Sequence, residues 1–130
     1  MAEIHELRDF YGIESYYTEE EKMVRNTVRE FVRERILPNV GEWWLKGEFP
    51  KNLIPEMAEL GLLGLTLPED YGGINLSPVA YGLVMEELEY GDSGIRSFCS
   101  VHNSLAKRFF IKGNKNKNFN EGFRYIRTYS

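Results

Sequence analysis

Cysteine is almost missing from this chain. One residue, Cys99, stands among 130, so no disulfide can form within the chain, and a reducing compartment suits it. Long apolar runs are missing too. None nears the roughly 18 to 20 residues that a membrane-spanning helix needs. The first ten residues, MAEIHELRDF, alternate in charge without the apolar core of a secretory signal. The expectation is a cytoplasmic protein with no membrane segment. Histidine occurs twice, as His5 and His102, and no Cys/His spacing suits zinc. Glycine pairs occur at Gly72-Gly73 and Gly91/Gly94, but they build neither a GxxxxGK phosphate loop nor a GxGxxG after a strand. Net positive charge is lacking: the chain carries −4, which gives no overall case for nucleic acid. Hydrophobic residues at 42% and aromatics at 14% exclude the disordered and fibrous classes. The length suits one domain with a real core.

The distribution of charge is more telling than its total. Residues 1–106 hold nine Lys/Arg against nineteen Asp/Glu, a net of −10, whereas residues 107–130 hold seven against one, a net of +6. So sharp a shift predicts a boundary near Ala106.

Before that boundary the grammar is helical. Thr18-Glu19-Glu20-Glu21 reads as a capping box, and its acids suit a helix dipole. Val24, Val28, Phe31, Val32 and Ile36 then recur at helical spacing, with Arg25, Arg29, Arg33, Glu30 and Glu34 assigned to the opposite face. Pro38 ends or kinks this helix near Leu37, and residues 39–46, with Trp43 and Trp44, can resume it. Lys51 to Leu60 reads as a short helix with Leu53, Ile54, Met57 and Leu60 on one face, and Gly61 suits its end. Leu62 to Tyr71 is an apolar connection broken by Pro68. Ser77-Pro78 opens a helix whose buried stripe is read as Val79, Leu83, Val84 and Leu88. Gly91-Asp92-Ser93-Gly94 ends it and caps another, carried by Ile95, Phe98, Cys99, Leu105 and Phe109. No alternating strand pattern of any length precedes residue 107. The expected fold class is all-α, about five helices in a compact bundle. After residue 107 the apolar period is lost, with at most a weak alternating strand at Phe123 to Tyr129.

Few residues suggest chemistry. Ser100 and Ser104 flank His102 but point to different helix faces, so His102 reads as a surface or partly buried helix polar, and Cys99 as a small core residue. Glu86, Glu87 and Glu89 are either paired carboxylates or, on composition alone, a solvated charged face. On a helix Glu86 and Glu89 share a side and Glu87 does not. The Gly-Asp-Ser-Gly break lets two helices bring Glu89 near Arg96. Arg96-Ser97 at a helix start is a sensible way to hold a carboxylate: the guanidinium binds it bidentately, a hydroxyl adds a donor, and free first-turn N–H groups assist.

These residues fall into a recognisable order. Leu53-Ile54-Pro55-Glu56-Met57-Ala58-Glu59-Leu60-Gly61-Leu62-Leu63-Gly64, then Leu67-Pro68-Glu69-Asp70-Tyr71-Gly72-Gly73, resembles the N-terminal helical domain of acyl-CoA dehydrogenases. Tyr81 to Glu89, then Asp92-Ser93-Gly94-Ile95-Arg96-Ser97 and Ser100-Val101-His102-Asn103-Ser104-Leu105, resembles the glutaryl-CoA dehydrogenase branch. The resemblance runs from about Asp9 to Leu105. It implies an oxidoreductase fold in which a glutamate base removes an α-proton, the β-hydride passes to FAD, and the glutaryl-type product loses carbon dioxide to give crotonyl-CoA. It implies Glu89, Arg96 and Ser97 as substrate-binding residues for the distal carboxylate of glutaryl-CoA. It implies no catalytic residue here, because the family's base and most of its flavin contacts lie in later domains. FAD therefore belongs to the full-length family, with none expected on this chain alone.

After Leu105 the resemblance stops, where charge and periodicity also change. The expectation is two parts: 1–106 as the helical domain and 107–130 as a divergent basic tail, the product of a frameshift near codon 106 in a truncated remnant. The rivals are a basic tail selected for an acidic partner or nucleic acid, a non-enzymatic helical interaction module that self-associates, and one part of a split enzyme. Apolar surface left uncovered by missing domains favours a homo-oligomer.

Overall fold

Thr18 starts the first long helix as its sequence predicts. Its hydroxyl accepts the Glu21 N–H at 3.2 Å, and the Glu21 carboxylate accepts the Thr18 N–H at 2.9 Å. The structure is a computed structural model that describes residues 9–106. Helix α1 is Glu19–Phe31, and a single wider π-helical segment, Val32–Ile36, follows it. There the Leu37 N–H reaches back to the Val32 carbonyl at 2.9 Å. Pro38, which has no N–H to donate, stops the helix directly afterwards. Helix α2 is Val40–Lys46 and α3 is Ile54–Glu59, the latter entered through a 3₁₀ turn at Lys51–Leu53. Helix α4 is Pro78–Gly91 and α5 is Ser93–Val101, with a second π-helical segment at His102–Ala106. Among the described residues there is no strand, and five α-helices carry the fold. Over the described residues the fold is all-α, as expected.

Helix α4 is the central element. It packs on α1 along one side and on α5 along the other. Its buried positions are Ala80, Leu83, Val84, Glu87, Leu88 and Gly91, a run of three- and four-residue steps that traces one helix face. The face corrects the sequence reading in two ways. Val79 is 47% exposed and Ala80 takes its place in the stripe. Glu87 lies inside the stripe, flanked by Leu83, Val84 and Leu88, rather than on a solvated face. Gly91 closes the stripe where a Cβ would come within 2.7 Å of Val32 Cγ1. Only glycine lets α4 approach the wide segment after α1 this closely.

Two further assignments change. Arg25 sits three residues before Val28 and seven before Val32, so it borders the apolar stripe of α1 and is buried instead of facing water. Leu60 is 38% exposed because α3 ends at Glu59 and the chain turns away through Gly61. Leu53 and Met57 do reach the core, joined by Leu62, Leu63, Leu65 and Leu67 from the following connection. Cys99 is fully buried. Phe109, the weak strand at Phe123 to Tyr129 and the basic segment 107–130 lie outside the described residues.

Candidate functional site

Two helices meet at Asp92 with no loop between them. Asp92 is extended, with φ −164° and ψ 127°, so the chain changes direction within one residue. One oxygen of its carboxylate caps α5 by accepting the Ile95 N–H at 2.8 Å. This junction brings the last turn of α4 against the first turn of α5. Across it Arg96 Nε donates to Glu89 Oε2 at 2.5 Å. The sequence reading foresaw this approach, because residues seven apart across a helix break can face each other. The Glu89 side chain is 50% exposed and that of Arg96 35% exposed, so the pair stands at the molecular surface with access to solvent. Ser97, the next residue, is partly buried. The pair engages Nε, and a guanidinium carries further N–H donors in a rigid fork that matches a carboxylate. Glu89 and Arg96 therefore make a pair, a cation held by a carboxylate, and Ser97 follows Arg96 in α5.

The neighbouring acids do different work. Glu87 Oε1 accepts from Arg29 Nη2 at 2.7 Å and from Nε at 3.2 Å, joining α4 to α1. That bond, set against partial burial, raises the Arg29 pKa above its ordinary value. Glu86 is exposed. The acidic run thus divides into a solvated carboxylate, a buried structural one and one that holds Arg96.

The sequence reading missed Asn103. Its side chain is buried and fully engaged. Its carbonyl accepts the Leu65 N–H at 2.8 Å, while its amide donates to the carbonyls of Leu62 at 2.7 Å and Cys99 at 2.9 Å. It ties the 62–66 connection to the end of α5. A polar residue at i+4 from Cys99, within an apolar stripe, was the available signal. Neither Cys99 nor His102 is activated. Burial pushes the Cys99 thiol up to about 12, and burial holds the His102 imidazole below its usual range. Among the described residues no cluster of His, Cys, Asp and Glu could hold a metal ion, and no helix is long and apolar enough to cross a membrane.

A separate open cleft of about 520 Å³ is lined by Trp43, Glu48, Phe49, Pro50, Lys51 and Asn52. None of Glu89, Arg96 and Ser97 stands in its wall.

Comparison with known proteins bears on most of the chain. A family model described as "Acyl-CoA dehydrogenase, N-terminal domain" matches residues 18–116. A (2S)-methylsuccinyl-CoA dehydrogenase from Cereibacter sphaeroides is 35% identical over 112 residues, covering 82% of this chain and 20% of that protein. A crystal structure of glutaryl-CoA dehydrogenase from Mycobacterium smegmatis superposes with a TM-score of 0.75 at 44% identity, covering 85% of this chain and 28% of that one. A glutaryl-CoA dehydrogenase from Mycobacterium smegmatis in complex with FADH2 gives 0.78 at 37% identity, over 88% of this chain and 29% of that one. The chain thus spans about a fifth of the curated relative and less than a third of these structures. On the family match and on the helical fold shared with these structures, the chain belongs to the acyl-CoA dehydrogenase family, in its N-terminal domain, close to glutaryl-CoA dehydrogenase.

Proposed function

We propose that this chain forms the carboxylate-holding wall of an acyl-CoA pocket. Arg96, with Ser97 beside it, takes the distal carboxylate of a short dicarboxylyl-CoA of the glutaryl-CoA kind, and Glu89 orients the guanidinium. The observation that carries this reading is the 2.5 Å contact between Arg96 Nε and Glu89 Oε2, held at the surface where two helices meet. The substrate class is supported by the relatives, whose names specify glutaryl-CoA and methylsuccinyl-CoA, both CoA esters of short dicarboxylic acids. A carboxylate leaving water needs a fixed cation, whereas a plain acyl chain does not.

In this reading residues 1–106 are the helical domain and residues 107–130 a separate basic tail. In the full-length family FAD takes up the hydride. This chain's share in this reading is to bind and orient, and alone it is inactive. Its place is the cytoplasm. The experiment is calorimetric titration of the purified chain with glutaryl-CoA and with butyryl-CoA. Tighter binding of glutaryl-CoA, with the difference erased by Arg96→Ala, is expected. Equal binding of the two, or a difference indifferent to Arg96→Ala, overturns the reading. Yellow protein that oxidises glutaryl-CoA with an electron acceptor would overturn the inactivity.

A second reading is a helical module that associates with itself, or one part of a split enzyme. It is favoured by exposed apolar residues: Phe10 is 84% exposed, Tyr11 88%, Tyr16 84% and Leu45 91%. Light scattering that gives a dimer mass would support self-association, and a monomer mass would remove it.

A further inference from the structure

Trp44 is 68% exposed, an unusual position for so large an aromatic side chain, yet its indole is tied down. Trp44 Nε1 donates to Asp92 Oδ1 at 2.7 Å, from α2 to the junction of α4 and α5. The other oxygen of that carboxylate caps α5 through the Ile95 N–H at 2.8 Å. The backbone of Asp92 is engaged as well. Its N–H donates to the Leu88 carbonyl at 2.9 Å, and its own carbonyl accepts the Arg96 N–H at 3.0 Å. All four polar groups of this residue are therefore committed, and they run to α2, α4 and α5. Gly94 completes the arrangement. A Cβ there would stand 2.8 Å from Asp92 Oδ2, so glycine keeps room for the carboxylate in its capping position.

The pivot between Glu89 and Arg96 is Asp92. Glu89 lies one turn before it, and Arg96 hangs from its carbonyl. A junction of one extended residue has two soft torsions and no loop to brace it. The indole supplies a brace from a third helix. A hydrogen bond to an ionised acceptor is about twice as strong as a neutral one, and this one acts on the residue that sets the angle between the two helices.

We propose that Trp44 and Asp92 form a clamp that positions Arg96 against Glu89. The two are positioning residues for the carboxylate site, and the assignment of that site rests on the function proposed above. The clamp fixes where the guanidinium stands, and so which distance along an acyl chain a distal carboxylate must lie to meet it.

The test uses the full chain, labelled with nitrogen-15, and reads hydrogen exchange at arginine Nε–H groups. Among the described residues three arginines donate Nε to a carboxylate: Arg29 to Glu87, Arg35 to Glu56 and Arg96 to Glu89. Trp44→Phe keeps an aromatic ring but removes the N–H together with the fused five-membered ring, at a position 68% exposed and outside the core. The expected result is that Arg96 Nε–H exchange accelerates about tenfold, the scale of one lost hydrogen bond to a charged group, while Arg29 and Arg35 are unchanged. Asp92→Asn leaves a single acceptor oxygen for two donors. Where that oxygen keeps the cap on the Ile95 N–H, the new NH2 faces the indole N–H and the Trp44 bond is lost, so a comparable acceleration at Arg96 alone is expected. Unchanged exchange at Arg96, or equal acceleration at all three arginines, overturns the clamp. The same variants titrated with glutaryl-CoA should lose affinity for it and keep their affinity for butyryl-CoA. If the unsubstituted chain fails to bind glutaryl-CoA, the proposed function falls, and the exchange data still decide the clamp.

Discussion

Glu87 Oε1 meets Arg29 Nη2 at 2.7 Å across the interface of α1 and α4, and the second oxygen of the same buried carboxylate has no hydrogen-bond partner among the described residues. The side chain of Glu87 is 4% exposed and that of Arg29 24% exposed. An ion pair of this kind is weak evidence for net stability, because desolvation offsets much of the attraction. Removing one partner is another matter. Arg29→Met would strand a carboxylate inside the helix interface and should cost about 3 kcal/mol, the low end for a broken buried pair because Arg29 is partly solvated. Arg29→Met combined with Glu87→Leu should recover most of that loss. Urea denaturation of the three proteins checks this, and a double variant no better than the single one would show that the pair itself holds α1 to α4.

Asn103 is the second polar group on which the packing depends. Asn103→Leu would leave the Leu65 N–H without its side-chain partner and the Leu62 carbonyl with only the Cys99 thiol, at 3.1 Å. An orphaned buried group costs about 1–3 kcal/mol, so a loss of that size is expected. Amide exchange should accelerate first at Leu65 and its neighbours, ahead of α1 and α4. Uniform acceleration along the chain would contradict a local tether.

Cys99 gives a pH dependence on the alkaline side. Burial raises its thiol from 9.0 to about 12. The unfolded chain therefore loses this proton near pH 9, while the folded chain keeps it. Stability from this group is complete below the unfolded value and is lost as pH rises from about 9 towards about 12. Urea midpoints should fall across that window and should fall less in Cys99→Ala. At neutral pH the thiol should resist an exposed-thiol reagent until denaturant unfolds the chain. Rapid labelling of the native protein would contradict its burial.

His102 acts on the acid side, with the opposite sign. Its imidazole is held below the ordinary 6.5 by burial. The unfolded chain takes up the proton first as pH falls, so stability is present above about 6.5 and is lost below it, towards the folded value. An NMR titration of the His102 ring should show a midpoint below the ordinary value, and His102→Gln should flatten the acid limb of the stability curve. A midpoint at or above 6.5 would remove the effect.

What the sequence disclosed follows from distance along the chain. The caps at Thr18, Ser77 and Asp92 were legible because each is a short-range device, closed within three residues. The Glu89–Arg96 approach was legible because a helix break separates residues only seven apart. Glu87 was not legible: charge suggested water, while its register among Leu83, Val84 and Leu88 placed it inside, against a partner 58 residues away. Trp44 and Asp92 are 48 apart, and Asn103 meets Leu65 over 38. Local pattern carries no record of such pairings, which arise only when helices pack.

The exposed pair makes a prediction that separates stability from binding. With its side chains 35% and 50% exposed, Arg96–Glu89 sits in strongly screening surroundings, where such pairs contribute about 0–1 kcal/mol. Arg96→Lys keeps the charge and should leave the urea midpoint almost unchanged, within about 0.5 kcal/mol. It removes the planar fork and the Nε donor that Glu89 holds. A lysine ammonium at the same place is a strongly hydrated point charge on a flexible stem. It cannot present two parallel donors to a carboxylate while a third is held from behind. Affinity for glutaryl-CoA should therefore fall about tenfold, the scale of one charge-assisted hydrogen bond, with butyryl-CoA unaffected. Calorimetry on both ligands beside urea curves on both proteins measures the two effects independently. If Arg96→Lys binds glutaryl-CoA as well as the parent chain does, net charge rather than guanidinium geometry is what the site provides.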